Sequence, residues 1–287
     1  MATLLSRRQG LDDAAQTALA AALADPIFEL LPLKNLPDQV PHLPSGARVS
    51  VTASPAKGID ATLDWAARLQ ADGFRAIPHL SARMIPDRSK LEELVGRARD
   101  AGLTHACVVG GDADEPGDYL DGLSLLTAMR EIGHPFEVLG CPGYPNGHAD
   151  IPDAALEQAL RDKAPFVKHV TSQMDFDTTV ISAWVRRLRS EGFEPEIVIG
   201  VPGVADPQKL INVAARIGVK DAKRFFVKNM RFVTGMARSG GFYKPTRFVE
   251  DIAPLLADPA ANVTGFHLYT FNAVEATEGW RQSMLGS

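Results

Sequence analysis

Glu29 stands inside Phe28-Glu29-Leu30-Leu31, a short apolar run of β type. A carboxylate in such a run loses its hydration, which favours the neutral acid, the form a general acid requires. A structural Glu bridged to an Arg or Lys of a neighbouring strand reads the same residues equally well. His79 closes a second run, Ile77-Pro78-His79-Leu80. His148 ends Tyr144-Pro145-Asn146-Gly147-His148, and His267 opens a last run. Zinc-type spacings such as His-Glu-x-x-His are missing, and a lone histidine is more often a hydrogen-bonded structural residue, so no metal site is expected.

The loop Gly110-Gly111-Asp112-Ala113-Asp114-Glu115-Pro116-Gly117-Asp118-Tyr119 alternates acids as the start of a calcium loop does. Pro116 at a ligand position, and Leu123 in place of the closing Glu, exclude that reading. Glycines that let a ligand approach the backbone would leave Asp112 as the carboxylate nearest a site, the alternative being a solvated acidic loop. Gln173, in Thr171-Ser172-Gln173-Met174-Asp175-Phe176-Asp177, carries an amide that donates and accepts in one plane, which suits a heterocycle such as a pterin. Capping of the next helix is its other reading, a task Asp177 or Ser172 could do as well. The run His267-Leu268-Tyr269-Thr270-Phe271-Asn272 mixes aromatic and polar groups. No Ser-His-Asp elbow, P-loop or Cys-x-x-Cys is present, so acyl transfer and Walker-type hydrolysis have no support.

These residues fall at the ends of short β-type runs, each followed by a helical pattern. The runs are 27–31, 48–52, 75–80, 105–109, 136–141, 166–171, 196–201 and 265–270. Ile59, Leu63, Ala66 and Leu69 keep the spacing of a one-faced helix, as do Leu91, Leu94, Val95 and Ala98. The pattern recurs at Val180, Ile181, Trp184, Val185 and Leu188, and again at Leu210, Ile211, Ala214 and Ile217. Such alternation implies right-handed βαβ units around a parallel sheet. Eight of them over about 250 residues fit a closed (β/α)₈ TIM barrel. An open doubly wound sheet would show an early Gly-x-Gly-x-x-Gly turn, and none occurs. An N-terminal helix to Ala24 precedes the first strand. The long gap before the eighth strand is expected to hold extra helices at 221–237 and 246–257. Without linker or low-complexity stretch, residues 1–287 read as one barrel domain. Chemistry in this fold belongs to the C-terminal strand ends, where the polar residues above fall.

The chain has 287 residues, with Lys+Arg 30 against Asp+Glu 35 and a formal net charge of −5. With 45% hydrophobic and 23% charged residues, a chain of this length can bury a sizeable core. Mild acidity argues against nucleic acid or an anionic membrane surface as partner, since phosphate neutralisation needs clustered cations. Cys107 and Cys141 lie in apolar runs and read as free buried thiols. Arg7-Arg8 is followed by Asp12-Asp13 and no sustained apolar run, so a soluble cytoplasmic protein is expected.

Taken in register, the strand-end motifs resemble methylenetetrahydrofolate reductase from about Pro26 to Trp280. Phe28-Glu29-Leu30-Leu31-Pro32 resembles that family's Phe-Glu-aromatic-aromatic-Pro motif. Ser50-Val51-Thr52 and Pro78-His79-Leu80 resemble its second and third strand ends, and Gly111-Asp112 the end of its Arg-Gly-Asp loop. Tyr144-Pro145 with His148 resembles its Tyr-Pro-Glu-x-His loop, Gln173 to Asp177 its Gln-aromatic-aromatic-aromatic-Asp segment, and 267–272 its last strand. The resemblance implies an FAD-containing (β/α)₈ barrel that reduces 5,10-methylenetetrahydrofolate to 5-methyltetrahydrofolate with NADH or NADPH, or runs the reverse oxidation, in folate one-carbon metabolism and methionine synthesis. It makes Glu29 the acid that protonates N10 and Asp112 the carboxylate beside pterin and flavin. Gln173, Tyr269 and Asn272 would bind folate. Thr52, His79, Asp112, Tyr119, Tyr144, His148 and Lys163 would hold the flavin.

The sequence departs from the family pattern at several places. Gly110 stands where an Arg usually precedes Gly-Asp, removing a cation. Ala53-Ser54 replaces Tyr-Gly, Leu30-Leu31 replaces two aromatics, and Ala273 stands where a basic residue often follows Asn. These departures mark a divergent member and bear on FAD affinity and on recognition of the folate tail. The alternatives are a flavin-independent folate-linked reductase or methyltransferase, or a non-catalytic folate-binding barrel subunit. Homo-oligomerisation is left open.

Overall fold

In the computed structural model, residues 10–206 and 241–286 are described. Eight parallel strands close a barrel in sequence order: β1 (Ile27–Leu30), β2 (Arg48–Val51), β3 (Arg75–Ser81), β4 (His105–Val109), β5 (Val138–Gly143), β6 (His169–Ser172), β7 (Glu196–Pro202) and β8 (Val263–Tyr269). β8 returns to β1 with Ile27 beside His267 and Glu29 beside Tyr269, which seals the seam. The expected (β/α)₈ architecture is the observed one. Among the described residues no helix is long and apolar enough to cross a membrane.

Alternation along each strand divides the interior in two. Phe28, Leu30, Val49, Val51, Val108, Val170, Ile199 and Phe266 point outward and are buried under the helices in one continuous core. Ile27, Ile77, Cys107 and Val198, with Val109, form a separate small cluster inside the barrel. The helices carry the apolar faces their spacing predicts: Ile59, Leu63, Ala66 and Leu69 in Gly58–Ala71, and Ile181, Trp184, Val185 and Leu188 in Thr178–Ser190, are buried. Aspartates start these βα units. Asp87, Asp121 and Asp177 accept hydrogen bonds from Lys90 N, Ser124 N and Thr179 N in the first turns after β3, β4 and β6.

The N-terminal helix Asp13–Ala24, capped by Asp12, packs on β8 and on the helix Thr246–Ala257. Its end is held by Arg281, buried in the last helix, which donates to Leu23 O at 2.7 Å while forking onto Glu278. The extra helix expected at 246–257 is present; that at 221–237, and the helical pattern at 210–217, lie outside the described residues.

Three strand starts differ from expectation, with β8 beginning at Val263 rather than 265. β5 begins at Val138 rather than 136 and runs on to Gly143, and β6 begins at His169 rather than 166. Ala164–Phe166 is instead a 3₁₀ turn with Pro165 inside it, a residue that cannot donate to a ladder.

Candidate active site

Most (β/α)₈ barrels fill the lumen with branched apolar side chains. Here the lumen-facing positions above the apolar cluster are polar. Glu29 and Ser50 are register partners across β1 and β2. His79 and Ser81 follow Ile77 on the same face of β3, and His267 and Tyr269 occupy that face of β8. His169 and Thr171 do so on β6, where Gly140 of β5 is paired with His169. Small residues make the room. A Cβ on Gly140 would come within 2.5 Å of the His169 ring, and one on Gly200 within 2.6 Å of the Tyr269 ring.

Glu29 is the centre of this arrangement. Its Oε2 lies 3.2 Å from His267 Nε2, with side-chain exposures of 12% and 5%. Its carbonyl oxygen accepts from Thr270 Oγ1. Of the two readings of Glu29, the structural one named an Arg or Lys partner; the partner found is a histidine. The His267 ring stands 4.9 Å from Tyr269 and 6.4 Å from His79 between ring centroids. Tyr269 reaches across the lumen and donates its hydroxyl to Ser172 O at 3.0 Å. Burial, and then the nearby Glu29 carboxylate, push that phenol well above its ordinary range. Burial also pulls His79 and His169 down to about 4, so both are neutral near pH 7.

The remaining expected residues form a rim on one side. Thr52 continues β2, its N–H donating to Leu30 O at 3.0 Å and its carbonyl accepting from Thr62 Oγ1. Asp112 is exposed on the loop after β4 and faces Tyr144, whose phenol is raised to about 12 by burial and next by Asp112. His148 sets its ring edge-on to Tyr144 at 5.6 Å. The stem of Lys163 passes Gly122 and Val108. Gln173 leaves β6 beside the Tyr144–Gly147 loop, with Oε1 accepting from Met174 N at 2.8 Å. The capping role is taken by Asp177, which accepts from Thr179 N at 2.9 Å. The structure does not bring Tyr119 into this group: its phenol is raised by burial and then by Asp118, with Arg88 and Asp87 beside it. Asn272 is buried behind β1, with its amide bonded to the backbone of Leu31.

Three contributors were not singled out from sequence. Asp175 is buried, takes the Phe176 and Asp177 N–H groups and the Asn146 side chain, and so ties the loop after β6 to the loop after β5. Its signal is an acid two residues before a helix cap, a turn-forming position. Arg83 donates its backbone N–H to Gly110 O at 3.0 Å and its side chain to Ala113 O at 2.8 Å and Asp114 O at 3.3 Å, which returns a cation to the loop where Gly110 removes one. His169 could be placed in the lumen only by register.

A larger groove of about 620 Å³ lies at the opposite end, around Glu196 and Asn262, away from the strand tips. By contrast Ser50 Oγ, His79 Nε2 and Ser81 Oγ, all on β2 and β3, are buried with no hydrogen-bond partner among the described residues. Gly111, at φ 88°, lies so close to Ser81 Oγ that any Cβ there would collide with it. Orphaned polar atoms beside a bare backbone suit a flat, polar-edged ligand lying over this side of the barrel mouth.

Fold and site together define a (β/α)₈ barrel that keeps an acid–imidazole pair in its lumen and a polar rim at its strand tips. Residues 31–280 match the model of the family described as methylenetetrahydrofolate reductase, and the chain belongs to that family. Membership supports a folate-linked oxidoreductase activity. The matched span begins two residues after Glu29, so the lumen geometry speaks for that residue independently. Among solved structures, a plant class V chitinase mutant from Cycas revoluta in complex with (GlcNAc)3 is similar at TM-score 0.50 and 10% identity, over 90% of this chain and 98% of that one. A family GH18 chitinase from Cycas revoluta in complex with allosamidin reaches 0.49 at 10% identity with the same coverage. The first of these likenesses shows the barrel fold alone.

Proposed function

We propose that the protein reduces 5,10-methylenetetrahydrofolate to 5-methyltetrahydrofolate, or runs the reverse oxidation, with a nicotinamide donor and a bound flavin. The observation that carries this reading is Glu29, a nearly buried acid held by His267 at the strand tips, next to orphaned donors on β2 and β3. A flavin bound there supplies two-electron transfer between the nicotinamide and the folate carbon. Ser50, His79 and Ser81, with Thr52, Tyr144, His148 and Lys163, are the residues that would hold it. Gln173 presents its amide to the pterin edge. Tyr269, uncharged across the working pH range, walls the lumen beside Glu29 and keeps water from it. Glu29 delivers a proton to the folate nitrogen as the ring opens, and Asp112 stabilises the cationic carbon that results. Asn272 is assigned a positioning role and Tyr119 a place outside the site.

The absorption spectrum of the protein as isolated, followed by anaerobic titration with NADH and NADPH, tests the cofactor. Glu29→Gln is expected to leave flavin reduction within about threefold and to slow folate reduction by about 100-fold or more. Normal rates in both half-reactions would remove Glu29 from the chemistry.

One observation favours a second reading. The loop after β4 offers Gly110 where the family has Arg, and the Arg83 side chain that enters this loop is bonded to its carbonyls. A flavin-independent reductase, transferring hydride directly from nicotinamide to folate, is consistent with that loss. A colourless protein that turns over folate without added flavin decides for it.

A further inference from the structure

Among the described residues the Glu29 carboxyl is bonded by one side chain, His267, and an imidazole can itself take up a proton. We propose that His267 is the positioning residue of the Glu29 acid: it grips Oε2 across the β1–β8 seam and shares one proton with it. This rests on Glu29 being the proton donor of the reaction.

The geometry supports each part. Nε2 and Oε2 lie 3.2 Å apart, and the carboxyl keeps 12% exposure against 5% for the imidazole. The imidazole is fixed by Tyr269, whose hydroxyl is anchored on Ser172 O, and flanked by His79. The other groups that face the pair cannot do the same work. His79 on β3 and His169 on β6 are held neutral by burial. Cys107 on β4 and Tyr269 on β8 are pushed up by burial and keep their protons. Among the described residues no Lys or Arg pairs with Glu29. Among the described residues, His267 is the one side chain bonded to the Glu29 carboxyl.

Two variants separate this role from packing. His267→Gln keeps a hydrogen-bond donor of similar reach but cannot share the proton; His267→Phe removes the donor as well. In the flavin-loaded enzyme, His267→Gln is expected to leave the folate KM within about threefold. It should also lower kcat about 10-fold near pH 8 and displace the alkaline limb of the folate half-reaction by about one pH unit towards acid. His267→Phe should lower kcat further. Independently of activity, the side-chain carboxyl carbon of Glu29, assigned by its loss in Glu29→Gln, can be titrated by carbon-13 NMR in the ligand-free protein. Its midpoint is expected to move in His267→Gln. An unmoved midpoint and superimposable pH profiles would overturn the coupling, whatever the thermal stability of the variants. If the parent protein fails to reduce folate while the midpoint still moves, the functional reading falls and the coupling stands.

Discussion

With a single amide, Asn272 satisfies both backbone groups of Leu31: Oδ1 accepts from Leu31 N–H at 2.8 Å and Nδ2 donates to Leu31 O at 2.9 Å. Leu31 is where the chain leaves β1, past the last rung of the ladder, and Asn272 is where it leaves β8. The amide thus extends the barrel seam by one side-chain rung directly above Glu29. Asn272 sits at φ 54°, a left-handed conformation that asparagine tolerates better than most residues.

Replacing that amide by a carboxylate turns a donor into an acceptor opposite Leu31 O. Asn272→Asp is therefore expected to destabilise the fold by about 2–3 kcal/mol, with Asn272→Ala somewhat milder. Urea unfolding reads this directly, and an unchanged midpoint for both variants would return Asn272 to a ligand-binding role.

Gly200 makes a similar argument from space. Its missing Cβ leaves room for the Tyr269 ring, 2.6 Å from where that carbon would stand, and for the carbonyl of Ser172 that the phenol binds. Gly200→Ala must displace either a strand backbone or a ring wedged against His267. A loss of about 2 kcal/mol or more is expected, with Tyr269→Phe in the same background recovering little of it because the ring remains. A Gly200→Ala protein as stable as the parent would mean the lumen is looser than its contacts indicate.

Much of this was legible in the sequence because the barrel writes itself with two periods. Runs such as Arg48–Val51 and helices such as Arg88–Asp100 carry their burial in their spacing, and Glu29 stands out as a charge within an apolar run. Pairing across strands is not written in that way. His169 lies on the lumen face because it is level with Gly140 and Glu196, a register that no local pattern contains. Asn272 has the composition of a ligand-binding residue, yet its partner Leu31 lies at the other end of the chain. Tyr119 follows an acidic loop that reaches the rim, but its ring turns back to the core under Arg88–Asp100.

The lumen histidines His79 and His169 make stability depend on pH with a definite sign. His79 and His169 are held near 4 in the folded protein and return to about 6.5 on unfolding. Between those values the unfolded chain binds more protons, so stability is full above about pH 6.5 and falls as pH drops towards about 4. Each contributes a loss on the order of 3 kcal/mol across that window. Urea unfolding at intervals across this window should show the decline, and His169→Gln should make it shallower while lowering stability at neutral pH. A flat profile in the parent would mean that these rings are hydrated.

Arg83 offers the sharpest test of how the rim is held. Its backbone and guanidinium fix Gly110, Ala113 and Asp114 in one grip, and Gly117 N–H returns to its carbonyl at 3.4 Å. The loop so held carries Asp112 to Tyr144. Lysine keeps the charge but offers a single ammonium in place of a planar fork, so it cannot serve both carbonyls with the same geometry. Arg83→Lys is expected to weaken FAD binding about 5- to 20-fold while shifting the unfolding midpoint little, because the side chain is part-exposed and the loop lies outside the barrel core. Hydrogen exchange at 111–117 should quicken in the same variant. Equal FAD affinity and unchanged exchange would show that the glycines of this loop hold their conformation without the arginine.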